Sequence, residues 1–431
     1  VHRPTTIYYS QRFIPETNIN GLNTFYSPSF ETYDRKNGSI RKLFSINNRL
    51  DCYQELKVSK ILVQENVVFD QFDKGTVGVS ESVLSNPSVP YQGEYGTMNP
   101  ESFAEEGGRR YFFDVRNGAV LRLSNDGLTV ISDKQMHAYF ESKSNFYSSF
   151  DQVPEIWGVF DENHDEYVLN FGSISREEGF SPEDLALVSS QAEVVKETKN
   201  GLEYTFIIGY SENDDGVPTE FEIVRDVSNG VYVINSTAGS IDLDRQKILT
   251  IPSETVAFSE RTGYWDSFYS YLPECMCRVG IDFLSFKNGK TFLHNNNKLR
   301  NNFYGVRFPS ELWVVFNQGP SNNKVFNALG IESTTIWEAR EILTDSGQKS
   351  QLIESDFQDD QGQGLIFDSK ENIHYAALLQ DENTPNVEYP LINGDDMRDV
   401  SILFKLTKDT DYLERIFAAN INFALSQRSN K

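Results

Sequence analysis

The sequence predicts a mainly β protein of antiparallel meanders. Three observations carry this: nine Asn-Gly or Asp-Gly pairs, short aromatic and β-branched runs beside most of them, and few helix signals. An Asn-Gly or Asp-Gly pair supplies the two positive φ angles of a type I′ turn and so folds one strand back on its neighbour. The pairs are Asn20-Gly21, Asn37-Gly38, Asn117-Gly118, Asp126-Gly127, Asn200-Gly201, Asp215-Gly216, Asn229-Gly230, Asn288-Gly289 and Asn393-Gly394. Aromatic and β-branched side chains fit a pleated, half-buried surface.

The first hundred residues differ in texture from the rest. Pro4, Pro15, Pro28, Pro87, Pro90 and Pro100 break up scattered aromatics such as Tyr8, Tyr9, Phe13, Phe25, Tyr26 and Phe30. Residues 1–100 therefore read as an extended, Pro-interrupted arm that lies on neighbouring subunits. From 101 to 330 antiparallel hairpins dominate. Arg110 to Val115, Ala119 to Leu123 and Leu128 to Ile131 form a three-strand meander, and Ile156 to Phe160 pairs with Tyr167 to Phe171. Tyr204 to Tyr210, Glu220 to Arg225 and Val231 to Asn235 follow. Then come Glu254 to Glu260 with Tyr264 to Tyr271, Ile281 to Phe286 with Thr291 to His294, and Leu312 to Phe316 with Lys324 to Leu329.

Repeated meanders over this length suit a β-propeller-like body, because blades stacked around an axis bury both faces and leave short edges. The spacing is irregular and no blade signature recurs, so an assembly of β-sandwiches fits the spacing equally well. Two short helices interrupt the strands. Ser132-Asp133-Lys134-Gln135 has capping-box form ahead of Met136, Tyr139 and Phe140, and Ser181-Pro182-Glu183-Asp184 offers an N-cap with Pro at the first helical position. Asp356 to Gly364 is a polar loop. Ser401 to Leu406 and Arg415 to Leu425 close a C-terminal β-rich region spanning 331–431.

Composition narrows the function. The 431 residues carry a net charge of −24, which excludes a broad basic face gripping nucleic acid through its phosphates. No run approaches the roughly 18 unbroken apolar residues of a membrane helix. Cys52, Cys275 and Cys277 are too few to staple the chain, and Cys275-Met276-Cys277 is closer spaced than a zinc Cys-x2-Cys, so they read as reduced thiols. Val1 is neither an initiator Met nor the start of a secretory signal, which points to a trimmed or matured product.

Catalytic chemistry finds little support. His2, His137, His164, His294 and His374 show no metalloprotease spacing, and there is no nucleophile elbow, Walker loop or dinucleotide fingerprint. Asp161-Glu162-Asn163-His164-Asp165-Glu166 imitates the opening of a calcium loop, but Glu166 stands where the loop needs Gly. It reads as a solvated hairpin tip, as do the acidic pairs Asp359-Asp360 and Asp395-Asp396. No catalytic, cofactor-binding or metal-binding residues are expected. Trp157, Trp265, Trp313 and Trp337 read as core or interface anchors. Two acids over an aromatic platform would make a glycosidase, so a carbohydrate-binding or glycan-depolymerising protein on a propeller scaffold is the alternative. A bacterial surface or periplasmic propeller is a second, disfavoured by the missing signal.

Several strings together point to a family. They are Gly93-Glu94-Tyr95-Gly96-Thr97-Met98-Asn99-Pro100-Glu101-Ser102-Phe103, Arg109-Arg110-Tyr111-Phe112-Phe113-Asp114, Gly118 to Leu128, Phe258-Ser259-Glu260 with Trp265 to Tyr271, Phe286 to Asn295, and Phe417 to Ser426. In this order they resemble the tail muzzle proteins of crAss-like bacteriophages over about residues 93 to 426. The resemblance implies a virion structural protein at the distal end of a short tail, partly propeller-like and arranged as a ring of six copies with other tail proteins. It implies closure of the tube, passage of DNA without specific binding during ejection, and no catalytic residues. It also implies a propeller shared between segments of a larger precursor, and a chain starting at Val1 is compatible with the carboxyl-terminal product. Excess carboxylate then fits a wall that repels phosphate, and it equally fits a large assembly that must stay soluble.

Overall fold

A computed structural model describes the chain except residues 1, 12–19, 47–48, 70–74, 149–153, 178–191, 200–201, 213–217, 221, 226–231, 237–238, 243–247, 357, 359–363, 365 and 427–431. Within 64–82 and 175–251 it describes the backbone alone. The protein is mainly β with antiparallel sheets, as the turn chemistry predicts, and divides into two compact units, Val1–Asn295 and Asn296–Lys431. Among the described residues no helix is long and apolar enough to cross a membrane.

The first hundred residues are richer in strand than the Pro pattern suggests. Thr6–Tyr8 (β1) pairs with Phe30–Thr32 (β2). Ile40–Ile46 (β3), Arg49–Gln54 (β4), Val58–Phe69 (β5) and Gly75–Leu84 (β6) form an antiparallel sheet in chain order, with Val89–Pro90 (β7) added to β5. The prolines cluster outside β3 to β6, where they remove no ladder donor. Ile7, Tyr33, Cys52, Ile61 and Leu84 make a local core.

The predicted meander forms a four-stranded sheet: Ala104–Glu106 (β8), Arg109–Asp114 (β9), Ala119–Ser124 (β10) and Gly127–Val130 (β11). Both of its faces are buried. Phe112, Ala119, Leu121 and Leu123 pack with Tyr53, Val58 and Tyr91 of the preceding sheet, while Tyr111, Phe113 and Val120 face the other way into a second cluster. The period-2 alternation of a strand makes this division possible.

The second cluster is shared with the helix His137–Ser148 (α1) and with a sheet of four strands. These are Ile156–Asp161 (β12), Glu166–Phe171 (β13), and two strands that follow a long insertion. The insertion carries Ile174–Glu177 (β14), Ala192–Lys199 (β15), Leu202–Glu212 (β16), Pro218–Glu220 (β17), Glu222–Arg225 (β18), Tyr232–Ser236 (β19), Gly239–Asp242 (β20) and Ile248–Ile251 (β21). The chain then returns as Glu254–Ser259 (β22) and Tyr264–Tyr269 (β23), and the Phe171–Glu254 pairing brings the two ends of the insertion together. The Tyr111 ring stacks on Tyr167 at 4.9 Å and on Phe160 at 5.5 Å. Burying each such ring contributes about 1.5–3 kcal/mol. Cys275–Val279 (β24), Asp282–Lys287 (β25) and Lys290–Leu293 (β26) complete the unit.

Turn chemistry is borne out most cleanly at Asn288-Gly289, where φ values of 50° and 69° close the β25–β26 hairpin. Asn117-Gly118 and Asp126-Gly127 also stand at hairpins, with the glycine alone at positive φ. Gly118 is further constrained because a Cβ there would lie 2.8 Å from the Phe140 carbonyl oxygen of α1. Asn393-Gly394 instead ends a short helix, Pro390–Asn393. Asn200-Gly201, Asp215-Gly216, Asn229-Gly230 and the Ser181 N-cap lie outside the described residues.

The capping-box expectation is corrected. The helix starts at His137, because Gln135 takes φ 68° and breaks the helical path. Met136, Tyr139 and Phe140 nonetheless pack against one cluster as the spacing requires.

In the second unit Asn302–Phe303 (β27) and Val306–Arg307 (β28) form a small hairpin. The remaining strands are Ser310–Phe316 (β29), Lys324–Ser333 (β30), Glu338–Thr344 (β31), Lys349–Leu352 (β32), Phe367–Lys370 (β33), Ile373–Ala377 (β34), Arg398–Asp399 (β35), Ile402–Lys408 (β36) and Ile416–Leu425 (β37). One sheet runs β29-β36-β31-β32. The other runs β33-β34-β30, with β35 and β37 also paired to β30. Leu329, Ile331, Trp337, Ile342, Phe404 and Leu406 fill a common core between them. The expected hairpin of Leu312 to Phe316 with Lys324 to Leu329 does not form: β29 pairs with β36, and β30 lies in the other sheet. The intervening Asn317 to Asn323, with Gly319-Pro320, is too long for a two-residue turn and carries the chain between sheets.

Arg110 and Asp51 form an ion pair with both side chains fully buried, joining β9 to β4. Removing one partner strands the other charge away from water. Arg110→Ala should therefore destabilise the first unit by about 3–5 kcal/mol in chemical denaturation, and Arg110→Met with Asp51→Leu should cost less than that single change. A double variant as damaged as Arg110→Ala would contradict this.

Candidate functional site

The densest ligand-like run, Asp161 to Glu166, is the β12–β13 turn: Glu162, Asn163 and Asp165 are exposed, as a solvated tip requires, while the two carboxylates that flank it are not. Asp161 and Glu166 form the last ladder pair and are buried. Asp161 Oδ1 accepts the Asn163 N–H at 3.0 Å, and Oδ2 lies 2.8 Å from His164 Nδ1 and accepts from Asn295 Nδ2 at 2.9 Å. Burial alone would raise the Asp161 carboxyl, but the hydrogen bonds from His164 and Asn295 outweigh it and hold the group below its ordinary value. Burial raises the Glu166 carboxyl, which accepts the Tyr269 hydroxyl at 2.7 Å. Glu162 pairs with Arg278, which also pairs with Glu106.

These oxygens are turned toward protein donors, and among the described residues no three His, Cys, Asp or Glu groups converge as metal ligands. Asp395 and Asp396 are exposed, while Asp359-Asp360 lies outside the described residues.

The other singled-out residues serve packing. Trp265 is buried and donates from Nε1 to the Ile131 carbonyl at 3.0 Å, and Trp337 is buried in the second unit. Trp313 is half exposed, with Lys405 Nζ 5.3 Å above its ring. Cys52 is buried, which pushes its thiol up to about 12; Cys275 and Cys277 are free and partly buried. His374 is buried with Nδ1 2.6 Å from Ser369 Oγ, whereas His137 is exposed beside Asp133. His294 stacks on Phe283 at 4.1 Å with Nε2 2.7 Å from Ser285 Oγ.

Charged groups in the first unit tie sheets together. Glu260 accepts from the Tyr111 hydroxyl at 2.8 Å and from Arg122 at 3.0 Å, with Arg109 at 3.4 Å, so the β22–β23 turn is bound to β9 and β10. Glu254 joins Lys143 at 2.7 Å and Tyr139 at 2.5 Å, fixing α1 to β22. Tyr91 donates to the buried Asp51 at 2.9 Å.

A cleft of about 450 Å³ opens among Lys42, Glu101, Phe103, Glu105, Trp157 and Arg278. Lys42 Nζ sits 4.6 Å over the Phe103 ring, and burial lowers its pKa. Glu101 and Glu105 are exposed, not held in the apolar setting that separates a general acid from its base.

The second unit has a different kind of surface. β29 and β37 are edge strands of the two facing sheets, and Val314, Phe316, Ile416, Ile421 and Phe423 from them pack only partly buried against the common core. Beside them Leu312, Val315, Phe417 and Leu425 are exposed. Over its ten residues β37 carries no charge and no proline. Natural edge strands usually carry such protection against pairing with another chain. The sequence contained this signal in the Ile416 to Leu425 alternation, but not that the strand would stand at an edge.

Comparison with known proteins gives two matches. Residues 2–289 match the family described as Crassvirus muzzle protein, and residues 298–381 match the Crassvirus muzzle protein C-terminal domain. The interval between the matches holds the boundary of the two structural units. No curated protein matches the sequence.

Burial lowers the His294 imidazole from its ordinary 6.5 to about 4, against the pull of Asp161. Between those values the unfolded chain binds a proton that the folded chain refuses, so this residue makes stability fall as pH drops from about 6.5 toward 4. His294→Gln should flatten the dependence of melting temperature on pH in that window. A slope equal to that of the unsubstituted protein would contradict the assignment.

Proposed function

The chain belongs to the crassvirus muzzle protein family, structural proteins of the virion tail, and on that premise we propose that it builds and closes the distal end of the tail tube and lets DNA pass at ejection. The observation that carries the reading is the family match across both structural units. Copies assemble as a ring of six, with other tail proteins and the remaining segment of a longer precursor completing the structure.

The packing of the first unit supports a propeller-like wall. The β8–β11 sheet and the β12-β13-β22-β23 sheet each hold four antiparallel strands, the β3–β6 sheet holds four with β7 added to β5, and the middle sheet is buried on both faces. Blades stacked around an axis have this arrangement. The charged groups bind sheet to sheet, which suits a wall that must not deform as DNA moves past it.

The net charge of −24 suits a conduit. Carboxylates facing the duplex repel phosphate, so no counterion-releasing contacts form to hold the DNA in place. The purified protein should not retard duplex DNA in a mobility-shift assay even at about 50 mM salt, where phosphate contacts are strongest. Retardation that disappears at about 200 mM salt would reveal phosphate binding and contradict the non-adhesive wall. Six-fold particles in electron micrographs of the purified chain would support the ring, and a monomer at all concentrations would remove it.

A further inference from the structure

Four sheets of the first unit each send one strand to the same place. Lys42 of β3, Glu105 of β8, Trp157 of β12 and Cys277 of β24 all line the cleft of about 450 Å³, and each of these strands is both the first of its sheet and an edge of it. The volume lies within the roughly 300–1,000 Å³ usual for small-ligand sites.

The walls are held by contacts that leave the cleft itself open. Gly158 lets β12 press against the turn Pro100–Ser102, since a Cβ there would overlap the Ser102 carbonyl oxygen, which also accepts the Tyr167 hydroxyl at 2.6 Å. Arg278 clasps the other side. Its guanidinium pairs with Glu106 and Glu162 and donates to the Glu105 carbonyl at 3.3 Å, so β24 is tied to β8 and to the β12–β13 turn. A site fixed in advance loses little freedom when it binds.

Lys42, Glu101, Glu105 and the aromatic side chains remain for a ligand. The Lys42 ammonium is half-buried, 4.6 Å over the Phe103 ring, and makes no hydrogen bond or ion pair with a described residue. It repels an entering cation. Glu101 and Glu105 are exposed on the lining and repel an anion. A neutral ligand remains, and it must offer acceptors to Lys42, donors to the carboxylates and an apolar face to the half-buried Trp157. A pyranose does all three, because each hydroxyl both donates and accepts and its C–H face meets the negative face of an aromatic ring. A nucleobase is also neutral and flat, but it comes joined to a phosphate that the two carboxylates oppose.

We propose that this cleft binds one neutral hexose unit of a glycan, stacked on Trp157 with its hydroxyls on Lys42, Glu101 and Glu105. The site holds the sugar without cutting it, because neither exposed carboxyl has the apolar surroundings of a general acid. Binding needs no second copy, so it is independent of the ring reading.

Saturation-transfer NMR on the full chain tests this with the methyl glycosides of glucose, galactose, mannose and N-acetylglucosamine, beside those of glucuronate and glucosamine as anionic and cationic arms. At least one neutral glycoside should receive transfer at its ring protons, and both charged sugars should bind more weakly. Lys42→Met should weaken binding at least about tenfold, the worth of a hydrogen bond to a charged donor, and Trp157→Ala should abolish it. Circular dichroism melting checks that both variants fold. Glu101→Gln with Glu105→Gln alters exposed groups alone and should raise glucuronate binding to the level of the neutral sugar. No transfer to any neutral glycoside would overturn the proposal. Tighter binding of either charged sugar, or binding untouched by all three variants, would overturn it as well.

Discussion

The first unit depends on one six-residue strand, β9, being buried on both faces. Its alternation sends Arg110 and Phe112 one way and Tyr111 and Phe113 the other. Arg110 reaches Asp51 of the preceding sheet, and Tyr111 stacks on Tyr167 while its hydroxyl reaches Glu260 of the following one. A shift of one residue would place the guanidinium among the rings of the second cluster and leave Asp51 without its closest partner. Register in this strand therefore fixes how three sheets stack, and the helix α1 follows because Phe140 and Trp265 close the same cluster.

The hairpins were legible because their information is local. Asn288-Gly289 carries its turn geometry in two residues, and the runs around Tyr111, Val120 and Leu169 carry their strand character in side-chain shape. Partnership across long gaps was not legible. Nothing near Phe171 says that its neighbour is Glu254, and nothing near Leu312 says that its neighbour is Leu406. The burial of Asp161 at the base of its exposed hairpin tip was not legible for the same reason: Asn295 supplies one of its donors from the far end of the unit. At Ser132 the local signal existed, but the positive φ of Gln135 delays the helix to His137.

Charge and its absence divide the surface into two roles. Asp51, Glu254 and Glu260 each hold cations or hydroxyls across sheets inside the first unit. The uncharged runs fall on β29, β37 and the loop before β2, where side chains such as Phe417 and Phe25 remain open to solvent. For a chain of net charge −24 this is a sound arrangement for a wall built of many copies. In the proposed ring, long-range repulsion would keep free subunits apart and short-range apolar contact would join them once aligned.

In the proposed assembly the unprotected edge strand of the second unit, β37, is completed by another chain of the tail. Amide hydrogen exchange compared between the free protein and intact virions measures it most directly. The outward amides of residues 416–425 should exchange slowly in virions and fast in the free chain. Equal exchange rates in the two states would contradict it.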